Sequence, residues 1–359
     1  MIFLEYISAR DAAGKWGISQ RRVAILCAES RVPYATMVGN MWLIPANAEK
    51  PSDARKARYT VQDDSIGRPF LKWAGGKGQL IKEISALYPF EDKNINKYAE
   101  PFVGGGAVLF DILNRYELEQ VYINDINFEL INAYCVIKNN VDELLDVLHR
   151  YQEEFIPLEQ DARKEYFLSK REKFNLLKFN HVVDNRVKLA ALMIFLNKTC
   201  FNGLYRVNKK GLYNVPMGKY KNPLICDEKN ILLISEKLRY VRIECGSYRQ
   251  CLPFVDAETF VYFDPPYRPL TATASFTSYT EGNFSDQEQK ELAEFITAVD
   301  DKGAFFALSN SDPKNVNADD NFFDDLYGKF NICRIEASRM INSKGNNRGR
   351  IKELLISNF

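Results

Sequence analysis

The residues that decide the fold are Ala99–Phe110, which read AEPFVGGGAVLF. Three glycines, Gly104–Gly106, precede helix-forming residues that continue to Leu113. A glycine turn between a strand and a helix lets a ligand approach the backbone, because no side chain is in the way. The spacing lacks the dinucleotide-binding fingerprint, and no Lys-Ser or Lys-Thr pair follows, as a phosphate-binding loop requires. The stretch therefore predicts an α/β fold with a ligand site at this turn.

A second segment, Val121–Asp125 (VYIND), follows about twenty residues later and has the pattern of a buried strand that ends in an acid. A carboxylate at that place can accept hydrogen bonds from two ribose hydroxyls. Together with the glycine turn, Asp125 favours a ligand that contains adenosine but needs no pyrophosphate cradle. S-adenosylmethionine fits that description. The alternative is an ordinary strand-to-helix turn followed by an incidental acid.

A third segment, Thr259–Tyr267 (TFVYFDPPY), joins a buried-type strand to a carboxylate, two prolines and an aromatic ring. Asp264 and the carbonyl of Pro265 can both accept hydrogen bonds from an exocyclic amino group, while Tyr267 stacks on a planar substrate. The amino lone pair then faces a methyl sulfonium, an activated electrophile that needs neither a metal nor a covalent intermediate. The alternative is a strand ended by prolines, and the glycine turn and Asp125 argue against it.

A weaker signal of the same kind is Phe70–Gly78 (FLKWAGGKG), in which a strand-like start leads into a glycine turn. Trp73 and Lys77 stand where they could stack on a ring or neutralise a carboxylate. Glycine pairs are common in turns of every kind. This segment therefore supports a ligand site only in combination with the other three segments.

The composition excludes several other classes of protein. The chain has 359 residues, 46% hydrophobic and 26% charged, which suits a folded protein of two domains. Two histidines and seven cysteines without a CxxC pair argue against histidine-rich metal sites and zinc ribbons. The start has no features of a secretory leader, and the longest apolar run, Leu189–Leu196, is too short to span a bilayer. We therefore expect a cytoplasmic protein with reduced thiols.

The charges are unevenly distributed, although the formal net charge is only +1. Arg186–Lys221 contains eight basic and no acidic residues and is interleaved with aromatic residues. Lys50–Lys82 and Lys329–Lys352 also have a basic excess. Such segments are typical of a surface that binds phosphates and unstacked bases. The alternative is a set of solvated basic faces.

Residues 1–50 have the pattern of a small module with two helices. Ser8–Asp11 reads as a capping box that opens the first helix, and Gly17 ends it. Ser19 can cap the second helix, whose first turn carries the cations Arg21 and Arg22.

A short hairpin over residues 35–45 completes this module. The order helix, turn, helix and wing resembles the excisionase/MerR-like winged helix-turn-helix modules, which implies a DNA contact. The alternative is a helical packing or dimerisation unit. Residues 51–68 read as a linker.

Residues 69–357 resemble the Dam-type DNA adenine-N6 methyltransferases of the α motif order. FLKWAGGK, AEPFVGGGAVLF and VYFDPPY carry the resemblance. Three longer blocks make it specific: NKTCFNGLYRVNKKGLYNVPMGKYKNP (Asn197–Pro223), DPPYRPLTATASFTSYT (Asp264–Thr280) and INSKGNNRGRIKELL (Ile341–Leu355).

The resemblance implies a Rossmann-like sheet that uses S-adenosylmethionine, with an inserted helical DNA-recognition domain. Residues 69–127 and 251–359 would form the catalytic domain, and residues 128–250 the target-recognition domain. The expected cofactor-binding residues lie in the glycine-rich segments and at strand ends: Trp73, Ala74, Gly75, Gly76, Lys77, Glu100, Pro101, Phe102, Gly104, Gly106, Asp125, Ile126 and Asp264.

The resemblance also implies a catalytic set, Asp264, Pro265, Pro266 and Tyr267, which holds the target adenine after it is flipped out of double-stranded DNA. Arg206 matches an arginine that reads guanine, and Lys72 matches a lysine that reaches the outer guanine. The implied target is 5′-GATC-3′. The remaining residues expected to contact DNA are Phe201, Asn202, Leu204, Asn214, Pro216, Tyr220, Asn347 and Arg348.

Two features depart from the family pattern. Phe201 stands where the family typically has an intercalating tyrosine, so stacking should survive without the hydroxyl. The N-terminal module is absent from the simplest members. The sequence leaves open whether a cognate restriction endonuclease exists, and a monomer is expected.

Four other functions are alternatives to adenine-N6 methylation of DNA. A cytosine-C5 methyltransferase needs a nucleophilic cysteine after proline, and no Pro-Cys pair occurs. Methyltransferases that act on glutamine or on RNA adenine usually have Asn where Asp264 stands. A DNA-binding regulator with the methyltransferase domain as a scaffold is the alternative from a different class.

Overall fold

The computed structural model describes residues 6–28, 31–39, 41–51, 66–73, 75–91, 94–179, 185–268, 284–338 and 350–359. The chain divides into two compact units, Met1–Asp64 and Ser65–Phe359. Most of the proposed linker, residues 52–65, lies outside the described residues. Within the described residues, no helix is both long and apolar enough to cross a membrane.

The N-terminal unit contains two helices and a small antiparallel sheet of order β1-β3-β2. The predicted capping box is confirmed, since Ser8 and Asp11 cap each other across the first turn of the first helix. Gly17 ends that helix in the left-handed region with φ 63°, as expected. The elements are β1 (Tyr6–Ser8), α1 (Ala9–Trp16), α2 (Gln20–Ala28), β2 (Thr36–Val38) and β3 (Met41–Pro45).

The described residues of the larger unit form a seven-stranded sheet of order β6-β5-β4-β7-β8-β10-β9. The strands from β6 to β8 pair in parallel, whereas β10 pairs antiparallel with both β8 and β9. The strands are β4 (Lys97–Glu100), β5 (Gln120–Asp125), β6 (Val241–Cys245), β7 (Thr259–Phe263), β8 (Phe305–Ser311), β9 (Asn331–Ser338) and β10 (Arg350–Ser357).

Helices connect the strands, and α5 to α9 all lie between β5 and β6. Residues 141–155 form α6, and the apolar run at 187–196 forms the greater part of α8. The helices are α3 (Ile81–Ser85), α4 (Ala107–Arg115), α5 (Phe128–Asn139), α6 (Val141–Phe155), α7 (Gln160–Lys178), α8 (Arg186–Thr199), α9 (Glu228–Leu238), α10 (Asp286–Asp300) and α11 (Phe322–Leu326).

Alternate residues of β7 enter two separate cores, as the period of two in a strand requires. Phe260 and Tyr262 join a core that includes residues of α5 and α8. Val261 and Phe263 join a second core that includes residues of α10. With both faces covered, every residue of the strand is buried, and the acidic Asp264 comes directly after it.

One prediction about local structure is wrong. Phe70 and Leu71 are buried but do not form a strand. The backbone of Lys72 bonds instead to a side chain: its N–H donates to Asn197 Oδ1 (2.9 Å) and its carbonyl accepts from Asn197 Nδ2 (2.9 Å). A side-chain amide thus replaces the strand partner that the apolar pattern led us to expect.

Candidate active site and nucleic-acid interface

Three acidic residues stand at the carboxyl ends of three adjacent strands. Glu100 ends β4, Asp125 ends β5, and Asp264 directly follows β7. Because these strands are parallel, their carboxyl ends meet at one edge of the sheet. The strand order reverses at β4, where ligand crevices form in sheets of this type. The motifs expected to share a site therefore lie at one edge of the sheet.

The glycine turn before α4 is packed by aromatic side chains of the protein itself. Gly104 and Gly106 have φ of 48° and 72°. A Cβ on Gly104 would lie 3.0 Å from the ring of Trp73, and a Cβ on Gly106 would lie 2.5 Å from the hydroxyl of Tyr134. Glycine is required here by backbone conformation and by close packing. This packing is a reason for the glycines that the sequence analysis missed.

Asp125 is tied to the glycine turn. Its Oδ2 accepts from Gly104 N–H at 3.0 Å, and its Oδ1 accepts from Asn127 N–H at 2.9 Å. Burial raises the pKa of Asp125, while these backbone hydrogen bonds oppose the rise. The carboxylate is thus held at the mouth of the turn, next to the exposed Ile126.

Two further groups lie close to the glycine turn. Phe102 stacks on Tyr248 with ring centroids 5.2 Å apart. Asn124 donates to the carbonyls of Pro101 and Gly246, but its own buried Oδ1 has no hydrogen-bond partner among the described residues. A buried amide oxygen without a partner is costly unless a ligand or water satisfies it.

Lys77 and Asp264 form an ion pair, with 2.5 Å between Nζ and Oδ1. Lys77 is only 5% exposed; its Nζ also donates to the carbonyl of Gly75 (2.9 Å) and lies 4.6 Å from the centroid of the Tyr267 ring. Burial raises the pKa of Asp264, the Lys77 ammonium lowers it, and the charge of Glu353 raises it. The structure therefore brings Lys77, Asp264 and Tyr267 into direct contact.

Glu100 lies deeper in the same cluster of charges. It is 2% exposed and accepts a hydrogen bond from the hydroxyl of Tyr98 at 2.8 Å. Burial raises the pKa of Glu100 well above its ordinary value, and the charge of Asp264 adds to the rise. The Lys77 ammonium partly opposes this rise in the pKa of Glu100, although its direct partner is Asp264.

Pro266 and Tyr267 form hydrogen bonds with side chains of other secondary-structure elements. The Pro266 carbonyl accepts from Gln289 Nε2 at 3.2 Å, and Asn310 donates to Gln289 at 3.2 Å. The Tyr267 hydroxyl donates to Glu353 Oε2 on β10 at 2.6 Å. No local sequence pattern predicts the roles of Gln289 and Glu353, because both are distant in sequence from the motif they contact.

The expected DNA-contacting residues after α8 form an exposed turn next to Lys72. Phe201 is 53% exposed, and Asn202 has φ 58°, a region that asparagine tolerates. Gly203 also has a positive φ, and a Cβ there would lie 2.6 Å from Cδ of Lys72. Asn197 donates to the carbonyl of Gly203 as well as to that of Lys72, so one amide links both segments.

Arg206 is exposed, and its guanidinium is oriented by a neighbour. Its Nε donates to Asn214 Oδ1 at 2.8 Å, and a terminal nitrogen lies 3.4 Å from the Asn214 carbonyl oxygen. The two residues face each other across a hairpin-like turn with a bridge between Val207 and Tyr213. The structure thus places Asn214 where it can aim the guanidinium, a role distinct from a direct base contact.

The other expected contact residues belong to the same surface. Lys72 Nζ lies 5.6 Å from the ring centroid of Tyr220, the Pro216 carbonyl accepts from Phe201 N–H, and Leu204 is half-buried. Ala74, Asn347 and Arg348 lie outside the described residues.

Lys198 is half-buried at the end of α8 and is not among the residues predicted from the sequence to contact DNA. Burial lowers the pKa of Lys198, and the nearby charges of Lys72 and Arg68 lower it further, against the opposite effect of Asp227. Its position next to the exposed turn adds a cation to this surface. The basic composition of Arg186–Lys221 was the available signal, but composition alone does not single out one lysine.

Comparison with known proteins agrees with this arrangement. The family model for the D12 class N6 adenine-specific DNA methyltransferases matches residues 73–341. The chain is 51% identical over 295 residues to Type II methyltransferase M.MjaIII of Methanocaldococcus jannaschii, which is 81% of this chain and 99% of that protein.

Two further relatives are more distant. The chain is 39% identical over 294 residues to Type II methyltransferase M1.LlaDCHI of Lactococcus lactis subsp. cremoris, covering 81% of this chain and 95% of the relative. It is 33% identical over 289 residues to the DNA adenine methylase of Escherichia coli (strain K12), covering 80% and 94%.

Proposed function

The chain belongs to the D12-class N6 adenine-specific DNA methyltransferases, and on that premise we propose that it methylates adenine N6 within GATC in double-stranded DNA. The observation that carries the choice of active site is the contact of Asp264, Lys77 and Tyr267 at the carboxyl end of β7. It combines a hydrogen-bond acceptor for an amino group with an aromatic face for a base.

The family generally uses S-adenosylmethionine, and the residues around the glycine turn fit that cofactor. Asp125 offers carboxylate oxygens to ribose hydroxyls, Phe102 and Ile126 offer apolar surface to a purine, and the buried Oδ1 of Asn124 can accept a further hydrogen bond. When bound, the cofactor supplies an activated methyl group. The protein's own task is to place the adenine amino group in line with it.

Lys77 occupies the place that we assign to the adenine amino group. Its ammonium donates to Asp264 and lies against the ring of Tyr267. The amino group of a flipped adenine would make the same two contacts, with the Pro265 carbonyl as second acceptor. The Lys77 side chain then gives up Asp264 Oδ1 to the base, and its positive charge stays near the cluster of carboxyl groups.

The exposed surface around Arg206 is the proposed site of sequence recognition. A guanidinium held by Asn214 keeps its outer N–H groups available for a bidentate contact with guanine. Lys72 would reach the outer guanine, and Phe201 is exposed enough to insert between bases. The choice of GATC rests on the resemblance of Asn197–Pro223 to the Dam-type recognition segment.

For the N-terminal unit we propose a second DNA contact through the first turn of α2, where Gln20 and Arg21 are exposed. The hairpin tip is a poor phosphate-binding wing, because the exposed side chains there, Met37, Val38 and Met41, are apolar. We therefore assign the contact to the helix rather than to the wing. A monomeric state and a cognate endonuclease stay predictions.

A tritium-transfer assay with labelled S-adenosylmethionine and unmethylated plasmid tests the proposal. We expect label in the DNA, recovered as N6-methyladenine. Binding of the cofactor without label in any DNA would favour a regulator that keeps the methyltransferase domain as a scaffold.

A further inference from the structure

A glutamate on β10, Glu353, contacts the proposed active site from the antiparallel part of the sheet. Strand β10 lies between β8 and β9, and Glu353 pairs with Ser311 on one side and Ile335 on the other. Its carboxylate is half-buried, and its Oε2 accepts the hydroxyl of Tyr267 at 2.6 Å. A residue 86 positions away in sequence thus contacts the ring of the DPPY motif.

The position of Glu353 is unusual for an acid. The next three residues of β10, Leu354–Ile356, are buried and apolar. Glu353 shares its face of the sheet with Leu355, which belongs to the same core as Tyr262. Removing a carboxylate from water is costly unless hydrogen bonds compensate. The hydroxyl of Tyr267 supplies such a hydrogen bond.

The protonation of Tyr267 favours this hydrogen bond. Burial raises the pKa of Tyr267 well above its ordinary value, and the charges of Asp264 and Glu353 raise it further. The phenol therefore keeps its proton and donates a hydrogen bond to the carboxylate. Hydrogen bonds from a hydroxyl to a carboxylate are short and about twice as strong as neutral ones.

The ring of Tyr267 needs such an anchor. The two prolines before it fix their own backbone angles but leave the χ angles of Tyr267 free. Lys77 lies against the ring, but the proposed entry of the adenine amino group takes Asp264 away from Lys77. The bond to Glu353 is at the far end of the ring and does not compete with a stacked base.

We propose that Glu353 is a positioning residue for methyl transfer, which holds the Tyr267 ring in the orientation that stacks on the flipped adenine. The inference rests on the proposed function and deepens it. It assigns to the antiparallel part of the sheet a role in the active site. The effect falls on the step after DNA binding, because Glu353 contacts the ring and not the DNA surface around Arg206.

The test compares Glu353→Gln, Glu353→Met, Tyr267→Phe and the double variant Tyr267→Phe/Glu353→Met. Each is mixed with S-adenosylmethionine and a duplex that carries the site methylated by the wild-type enzyme. Single-turnover rates of methyl transfer and DNA dissociation constants are measured. A duplex with 2-aminopurine at the target position reports stacking, because an aromatic ring stacked on that base quenches its fluorescence.

We expect Glu353→Met to slow methyl transfer about tenfold or more, the loss of one charge-assisted hydrogen bond, with unchanged DNA affinity. Glu353→Gln retains an acceptor oxygen and should stay within about threefold of wild type. Tyr267→Phe should match Glu353→Met, and the double variant should be no slower than either single variant. Fluorescence of 2-aminopurine should be higher with Glu353→Met than with wild type.

Glu294→Met is the matched control, since Glu294 is an exposed glutamate on α10. Wild-type rates for Glu353→Met would overturn the inference while leaving the proposed function intact. Equal losses in Glu353→Gln and Glu353→Met, with a lowered thermal midpoint and unchanged 2-aminopurine fluorescence, would show a structural role instead and also overturn it. A wild-type enzyme that methylates no DNA would overturn both proposals.

Discussion

The proposed active site and the proposed DNA-recognition surface are built in opposite ways. At the end of β7, Lys77 is 5% exposed and contacts Asp264, Tyr267 and the Gly75 carbonyl at once. On the recognition surface, Phe201 is 53% exposed, and the exposed guanidinium of Arg206 is held by Asn214 alone among the described residues.

The two regions differ in what satisfies their charged and polar groups. In the proposed active site the charged groups satisfy one another inside the protein, and Lys77 holds the Asp264 carboxylate until the adenine amino group replaces it. The recognition surface keeps its donors for the DNA, which completes their hydrogen bonds. Substitutions in the active site should therefore reduce the rate, and substitutions on the surface should reduce selectivity.

The largest effect is expected for Asp264→Ala, which should abolish methyl transfer because the amino group loses its acceptor. DNA binding should largely persist, as measured by gel shift beside the transfer assay. Asp146→Ala, which removes an exposed aspartate on α6, is the control. A parallel loss of DNA affinity and thermal stability would show that Asp264 has a structural role, and the contrast between the two regions would not hold.

Arg206→Ala should cost about 1–3 kcal/mol at its base pair and relax selectivity there. Asn214→Ala should act in the same direction but less, since it only orients the guanidinium. Methylation of duplexes with single-base changes measures both, with Arg150→Ala on α6 as an exposed control. Selectivity unchanged in Arg206→Ala would show that another residue reads this base.

A pH profile sharpens the description of the active site. Burial raises the pKa of Asp264, so methyl transfer should fall on acidification at a higher pH than for an ordinary aspartate. The Lys77 ammonium opposes that rise, so Lys77→Met should move the acid limb to still higher pH. Single-turnover rates against pH test this, with Lys82→Met as an exposed control. An acid limb at the same pH in Lys77→Met would show that Lys77 does not lower the pKa of Asp264.

The smallest effect is expected in the N-terminal unit. Arg21→Ala should weaken DNA binding about threefold, the loss of one exposed phosphate contact, without changing the rate at saturating DNA. Lys15→Ala removes an equal charge from the end of α1, where its Nζ donates to the Ala46 carbonyl, and should have no effect. Equal binding by both variants would favour a packing or dimerisation unit.

Elements with a local signal could be predicted from the sequence. The capped first helix and the strands before Asp125 and Asp264 stand where their patterns indicated. Periodic burial and capping are properties of neighbouring residues, which a sequence displays directly.

Contacts between distant segments could not be predicted in this way. Asn197 replaces a strand partner for Lys72 from 125 residues away, and Glu353 contacts Tyr267 from a strand inserted antiparallel between β8 and β9. The glycines of the turn make room for Trp73 and Tyr134, which no local pattern indicates. The site was predicted as a set of motifs, and the fold supplied the residues that hold them.

The most direct test of the account is a map of N6-methyladenine, made by long-read sequencing of unmethylated plasmid after incubation with the enzyme and S-adenosylmethionine. We predict methylation of adenine confined to GATC, and none with Asp264→Ala. Methylation at another sequence would keep the chemistry but contradict the roles given to Arg206 and Lys72. If the cofactor binds and no methylated adenine is found, the protein does not methylate adenine N6 in this DNA, which would contradict the proposed function.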